Sequence, residues 1–150
     1  MKQPNDLSFE HAWKYFEVHS QQRMTVFNFY ITVVGLLSAG CGISLQQGGD
    51  FIYFSIVLGL SITFITFIFY KLDDRVSVLI KKSERALKFL ESHLEHPSVR
   101  IISSDLECST LNSGLFSVWT YGRCFRIVFI VLGLAGLILG FTPIILYFLK

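Results

Sequence analysis

Three stretches of the chain carry no charged residue: residues 25–49, 51–70 and 127–149, which are 25, 20 and 23 residues long. A helix rises about 1.5 Å per residue, so roughly 20 residues cross the hydrocarbon layer of a bilayer. Each run is long enough to do so. Between the first two lies a single charge, Asp50, in the segment "QQGGD", whose adjacent glycines suit a tight antiparallel helix connection. The pattern predicts a two-span hairpin and, after a polar interval, a third span. Three such runs leave too little polar surface to cover them as the core of a soluble protein. The first run begins after about two dozen polar and acidic residues and passes straight into the second, unlike a cleaved signal peptide. The expected fold is therefore an all-α integral membrane protein.

The polar intervals also read as helices. Phe9, Ala12, Trp13 and Phe16 fall at i, i+3, i+4 and i+7 and make one apolar face near the N-terminus. No Gly or Pro separates this helix from the first span, so the two are expected to be continuous or to bend at the membrane surface. Tyr70 and Lys71 end the second span with interfacial anchors. After them, Asp73 or Asp74 is expected to cap a new helix, and Pro97 to stop it. Within it Val76, Ile80, Ser83, Leu87, Leu90 and Leu94 repeat at spacings of four and three, a heptad seam with one polar member. The seam packs either on the protein's own N-terminal helix or on a second subunit, and Val76, Ile80, Leu87, Leu90 and Leu94 are its association candidates. "SDLE" at residues 104–107 matches a capping box and predicts a short helix there. The expected segments are 1–24, an amphipathic N-terminal helix; 25–71, the hairpin; 72–124, a cytoplasmic helical segment; and 125–150, the third span.

The first span has an inner pattern of its own. Gln21, Thr25, Asn28, Thr32, Gly35, Ala39, Gly42 and Gln46 recur at alternating spacings of four and three, and every member is polar or small. Shorter stripes occur in the second span (Ser55, Gly59, Thr63, Thr66, Tyr70) and in the third (Gly133, Gly136, Gly140, Pro143, Tyr147). Two readings follow. Small residues let helix backbones approach, and Thr or Asn bonds across helices, so the stripes are packing surfaces. Alternatively the first stripe is a water-facing wall with its most polar members at the two ends. Three spans are too few to enclose a hydrated path, so a pore requires an oligomer. It would be weakly selective, lacking rings of charge.

Charge sets the orientation. Twelve of the thirteen Lys and Arg residues precede the first span or lie between the second and third, and only Lys150 is elsewhere. The positive-inside rule places the N-terminus and central segment in the cytoplasm, with the hairpin turn and C-terminus outside. The net charge of +2 then needs no nucleic acid to explain it. Cys41, Cys108 and Cys124 are dispersed and form neither a disulfide framework nor a zinc spacing. No HExxH, Walker loop, GxSxG or CxxC is present, and His93 and His96 in "ESHLEH" read as a solvated helix end. No enzyme, metal or cofactor is expected.

The order of elements, with "HAWKYFEVHSQQRMTVFNFY" entering a hairpin and "KLDDRVSVLIKKSERALKFLESHL" following it, resembles the SLATT superfamily and similar small membrane effectors of bacterial anti-phage systems. These are encoded beside retrons or the cyclic-oligonucleotide synthases of CBASS. The likeness covers residues 8–95, and the third span departs from the two-span core. It implies an oligomeric effector that permeabilises the membrane, leading to abortive infection. Its trigger would be a cytoplasmic regulatory protein or nucleic-acid complex encoded nearby. The other expectation is a non-conducting anchor that recruits a cytoplasmic partner through residues 73–96.

Overall fold

A computed structural model describes residues 4–93, 100–104 and 119–148 of the chain. Its long elements are three helices: α1 (Pro4–Gln47), α2 (Ile52–Glu91) and α3 (Tyr121–Phe148). All three are long and apolar enough to cross a membrane. With 44 and 40 residues, α1 and α2 extend roughly twice as far as a bilayer needs. α1 is described from Pro4 onward. The helix then runs unbroken from the N-terminal aromatic segment into the first span. The turn to α2 uses Gly48 at φ 65° and Gly49 at φ 57°, followed by a 3₁₀ turn over Gly49–Phe51. Two successive residues with positive φ are tolerable because neither has a Cβ.

One expectation needs correcting. Asp73 and Asp74 do not start a helix; α2 passes through both without a break, so neither can act as an N-cap. Lys71, Asp73, Asp74 and Arg75 are charges on a helix that simply continues beyond its uncharged run. The capping box at 104–107 lies largely outside the described residues. Ser104 itself closes a helical turn over residues 101–104.

The chain divides into two compact units, one formed by residues 1–24 and 74–122, the other by residues 25–73 and 123–150. In the first, Ala12, Val76, Ile80 and Leu87 are buried, Leu87 completely. Ser83, the polar member of the heptad seam, is buried too, and its hydroxyl donates to the Ile80 carbonyl at 2.7 Å. Leu90 is half-buried, and Leu94 lies outside the described residues. At Val76, Ile80 and Leu87 the seam is thus already covered within one copy of the protein. Phe9 and Trp13 stay exposed while Ala12 between them is buried, so the N-terminal aromatic face is only partly used in this unit. The Glu91 carboxylate, 3% exposed, holds the turn at 101–104. It accepts from the Ile102 N–H at 3.1 Å, the Ser103 N–H at 3.0 Å and the Ser103 hydroxyl at 2.9 Å. Hydrogen bonds to a charged acceptor contribute about 1.5–3 kcal/mol each. Glu91→Gln is expected to weaken this clamp by about 1–3 kcal/mol, seen as roughly ten- to hundredfold faster hydrogen exchange at the Ile102 and Ser103 amides.

In the second unit a core of Tyr30, Val34, Cys41, Ile62, Phe125 and Phe129 joins the three helices. Phe27 stacks on Phe125 with centroids 4.0 Å apart, and Tyr30 packs against Phe129 at 4.8 Å and Phe69 at 5.3 Å. Tyr30 is fully buried, and its hydroxyl donates to Thr66 Oγ1 at 3.0 Å, which in turn donates to the Ile62 carbonyl at 2.7 Å. Tyr30→Phe removes one bond of this chain and leaves no donor stranded. It is expected to cost about 0.5–1.5 kcal/mol in an SDS-titration unfolding assay.

Candidate functional site

The three stripes meet different fates. In the second unit those of α2 and α3 are turned inward. Ser55, Gly59 and Thr66 are buried and Thr63 is half-buried; Gly136, Gly140 and Pro143 are buried and Gly133 is half-buried. A Cβ on Gly59 would lie 2.5 Å from the Gly140 nitrogen and 2.7 Å from the Gly136 carbonyl oxygen. One on Gly136 would lie 2.7 Å from Ile62 Cγ2 and 2.9 Å from Thr63 Oγ1. These backbones touch, as glycine alone permits. The Thr63 hydroxyl lies 3.1 Å from the Gly59 carbonyl of its own helix and 3.4 Å from the Gly133 carbonyl of α3.

The stripe of α1 points the other way. Gln21, Thr25, Asn28, Thr32, Gly35, Ala39 and Gln46 are all exposed, and Gly42 is half-buried. A Cβ on Gly35 or Gly42 would meet nothing within 4 Å. The geometry follows from the helical repeat: Tyr30 and Val34 face the core, and Asn28 and Thr32, two residues away from them, are about 160° round the helix. The inward row is Tyr30, Val34, Leu37, Cys41 and Ser44, again at spacings of four and three and opposite in phase to the stripe. The sequence pattern did not single out this row. Its members are chemically mixed: Cys41 lies between two glycines, and only Ser44 stands between bulkier neighbours.

Within the exposed stripe, Thr32 is satisfied internally, its hydroxyl donating to the Asn28 carbonyl at 3.0 Å. The Asn28 and Gln46 side chains have no hydrogen-bond partner among the described residues. A bare carboxamide facing hydrocarbon costs several kcal/mol. Water, a neighbouring helix or a part of the chain outside the described residues must therefore meet Asn28. No group of three or more candidate metal ligands occurs among the described residues. His93 packs edge-on to Phe89, and its Nδ1 lies 3.0 Å from the Phe89 carbonyl. His96 is outside the described residues.

The sequence of residues 7–142 matches the model of the octameric membrane protein family, 8xMP. The chain belongs to that family. It is also similar to CD-NTase-associated protein 19 of Escherichia coli, with 53% identity over 137 residues that cover 91% of each chain. No solved structure matches it. The family description and three spanning helices make this a membrane protein.

Proposed function

We propose that the protein is a membrane-permeabilising effector of a bacterial anti-phage defence system, acting as a ring of eight copies. The observation that carries this reading is the polar and small stripe of α1, displayed outward from the protein's own core, with the Asn28 side chain unmet among the described residues. In an octamer such a face has an occupant. Gly35, Ala39 and Gly42 let neighbouring helices approach, and Gln21, Thr25, Asn28 and Gln46 line the two mouths of a hydrated path. The family's name supplies the copy number. The relative's name, which associates that protein with a CD-NTase, supports the defence setting, as does the architectural resemblance to membrane effectors of such systems. With no ring of acidic or basic residues on the stripe, the path discriminates poorly among ions. Its opening is triggered by a cytoplasmic partner, and the outcome is arrest or death of the infected cell.

The test is reconstitution: purified protein in liposomes is expected to run as an octamer and to release a trapped ion-sensitive dye. An octamer that holds the dye under every condition tried, including with its neighbouring gene products, would favour the non-conducting anchor instead. Orientation has its own check. Twelve basic residues on one side against one on the other put the N-terminus in the cytoplasm and Lys150 in the periplasm of the inner membrane. A reporter active only in the cytoplasm is expected to be silent when fused after Lys150, and one active only in the periplasm to be bright.

A further inference from the structure

We infer that neighbouring copies are joined outside the membrane by charge, the basic outer side of α2 in one copy meeting Glu17 on the flank of α1 in the next. The contact rests on the reading of the assembly as a ring of eight. Arg75, Lys81, Lys82, Arg85 and Lys88 are all exposed on α2, on the side away from the buried Val76, Ile80 and Leu87. None of the five makes a hydrogen bond or ion pair among the described residues. Lys81 and Arg85 are four apart, and Lys82, Arg85 and Lys88 follow at intervals of three, so like charges repel along the helix. Asp74 and Glu84, acids within the same stretch, are already engaged in interactions of their own. So concentrated a charge calls for an anionic occupant.

A bilayer surface cannot serve. Along α2, Lys82 and Lys88 stand about 18 and 27 Å past the end of the uncharged run, and the potential of anionic headgroups fades within a Debye length of about 8 Å. A second copy can. The first unit holds nine Lys and Arg and nine Asp and Glu, so it offers a foreign acidic partner no surplus charge to neutralise. Its basic face is balanced by acids carried elsewhere on the same unit. Such a body complements itself head to tail, the kind of contact that closes a ring. Glu17 is the acid placed to make it. It is exposed and has no hydrogen bond or ion pair among the described residues. It lies four residues before Gln21, about 40° round α1 from the stripe, and about 140° from the buried Ala12. It therefore belongs neither to the stripe nor to the core, but to the flank that a neighbour would meet. Along α1 it stands about 12 Å outside the first uncharged run. Arg75 and Lys82, seven apart on one line of α2, stand about 8 and 18 Å outside the second and bracket that level. One exposed pair contributes little, but the ring repeats it eight times, and a reversed charge adds repulsion at every repeat.

The experiment cross-links the full-length protein in a non-ionic detergent at low salt and reads the octamer fraction. Arg75→Glu with Lys82→Glu is expected to lower that fraction at least tenfold, and Glu17→Arg to do the same. All three changes together should restore it to within twofold of the parent. The SDS-titration midpoint of the protomer should stay unchanged in every variant, which separates lost contact from lost folding. Octameric single-sided variants beside an octameric parent would overturn the contact and leave the ring standing. Loss in the Arg75 and Lys82 variant that Glu17→Arg does not restore would assign the basic face to another acidic occupant and overturn the pairing. A parent that forms no octamer would overturn the ring itself, and this contact with it.

Discussion

Gly59→Val is expected to unseat the third span from the hairpin. The substituted Cβ would meet backbone atoms of Gly140 and Gly136 at 2.5 to 2.7 Å, well inside van der Waals contact. A clash with the end of a flexible side chain is relieved by a rotamer change, as at Gly40, where Leu58 Cδ1 would lie 3.2 Å from an added Cβ. A clash with backbone is relieved only by moving a whole helix. That motion would also stretch the Thr63 contact to Gly133 and disturb Phe129 against Tyr30. Overpacking of a tight core usually costs about 1–3 kcal/mol, and this site, having no side chain to yield, is expected at or above the top of that range. The measurement is the SDS-titration midpoint of purified protein beside Gly42→Val, whose Cβ meets nothing within one copy. The Gly59 variant should unfold far earlier, and the Gly42 variant should keep the protomer's own stability. Equal midpoints would mean that α3 does not depend on this crossing.

The spans and the turn were legible because hydrocarbon and positive φ impose demands that few residues meet. Long uncharged runs have no other stable environment, and Gly48–Gly49 marks the reversal where two left-handed residues are needed. Which face of each span turns inward was not legible. Lipid is as apolar as Leu, so burial leaves no hydrophobic contrast along a membrane helix. The small-residue stripes of α2 and α3 point inward, while an equally regular stripe on α1 points outward. The same spacing rule therefore names a contact surface without naming its partner. The heptad of α2 has the same ambiguity: Val76, Ile80 and Leu87 are buried within one copy, although the pattern alone serves a second subunit as well. Asp73 and Asp74 misled for a different reason. Acidic residues after an uncharged run resemble a helix start, but α2 has the length to carry them as interior positions. The turn at residues 101–104 depends on Glu91 reaching residues 102 and 103, a pairing no local periodicity announces. The order of elements resembled the SLATT superfamily and similar membrane effectors, whereas the family whose model matches is the octameric membrane protein family.

Asn28→Leu and Gly35→Leu are expected to separate conduction from assembly. Both positions are exposed on α1, so neither change should disturb the protomer. Asn28 carries a carboxamide without a partner among the described residues, and the proposed ring places it near one mouth of the path. Replacing it with Leu makes that wall apolar and favours dewetting, so ion flux in liposomes should fall while the octamer persists. If Asn28 instead bonds a neighbouring copy, the same change removes an interhelical bond worth about 0.6–2 kcal/mol, and assembly weakens along with flux. Gly35 behaves oppositely. Its space is open only within one copy, and a neighbouring backbone would occupy it in the ring. A Leu there should force copies apart and shift cross-linked species from octamer towards monomer, with flux lost as a consequence. The decisive comparison is cross-linking and dye release on the same preparations. Octameric Asn28→Leu that conducts like the parent would remove the stripe from the path. Octameric Gly35→Leu would show that the neighbouring copies meet elsewhere, with the exposed outer faces of α2 and α3 next to be tested.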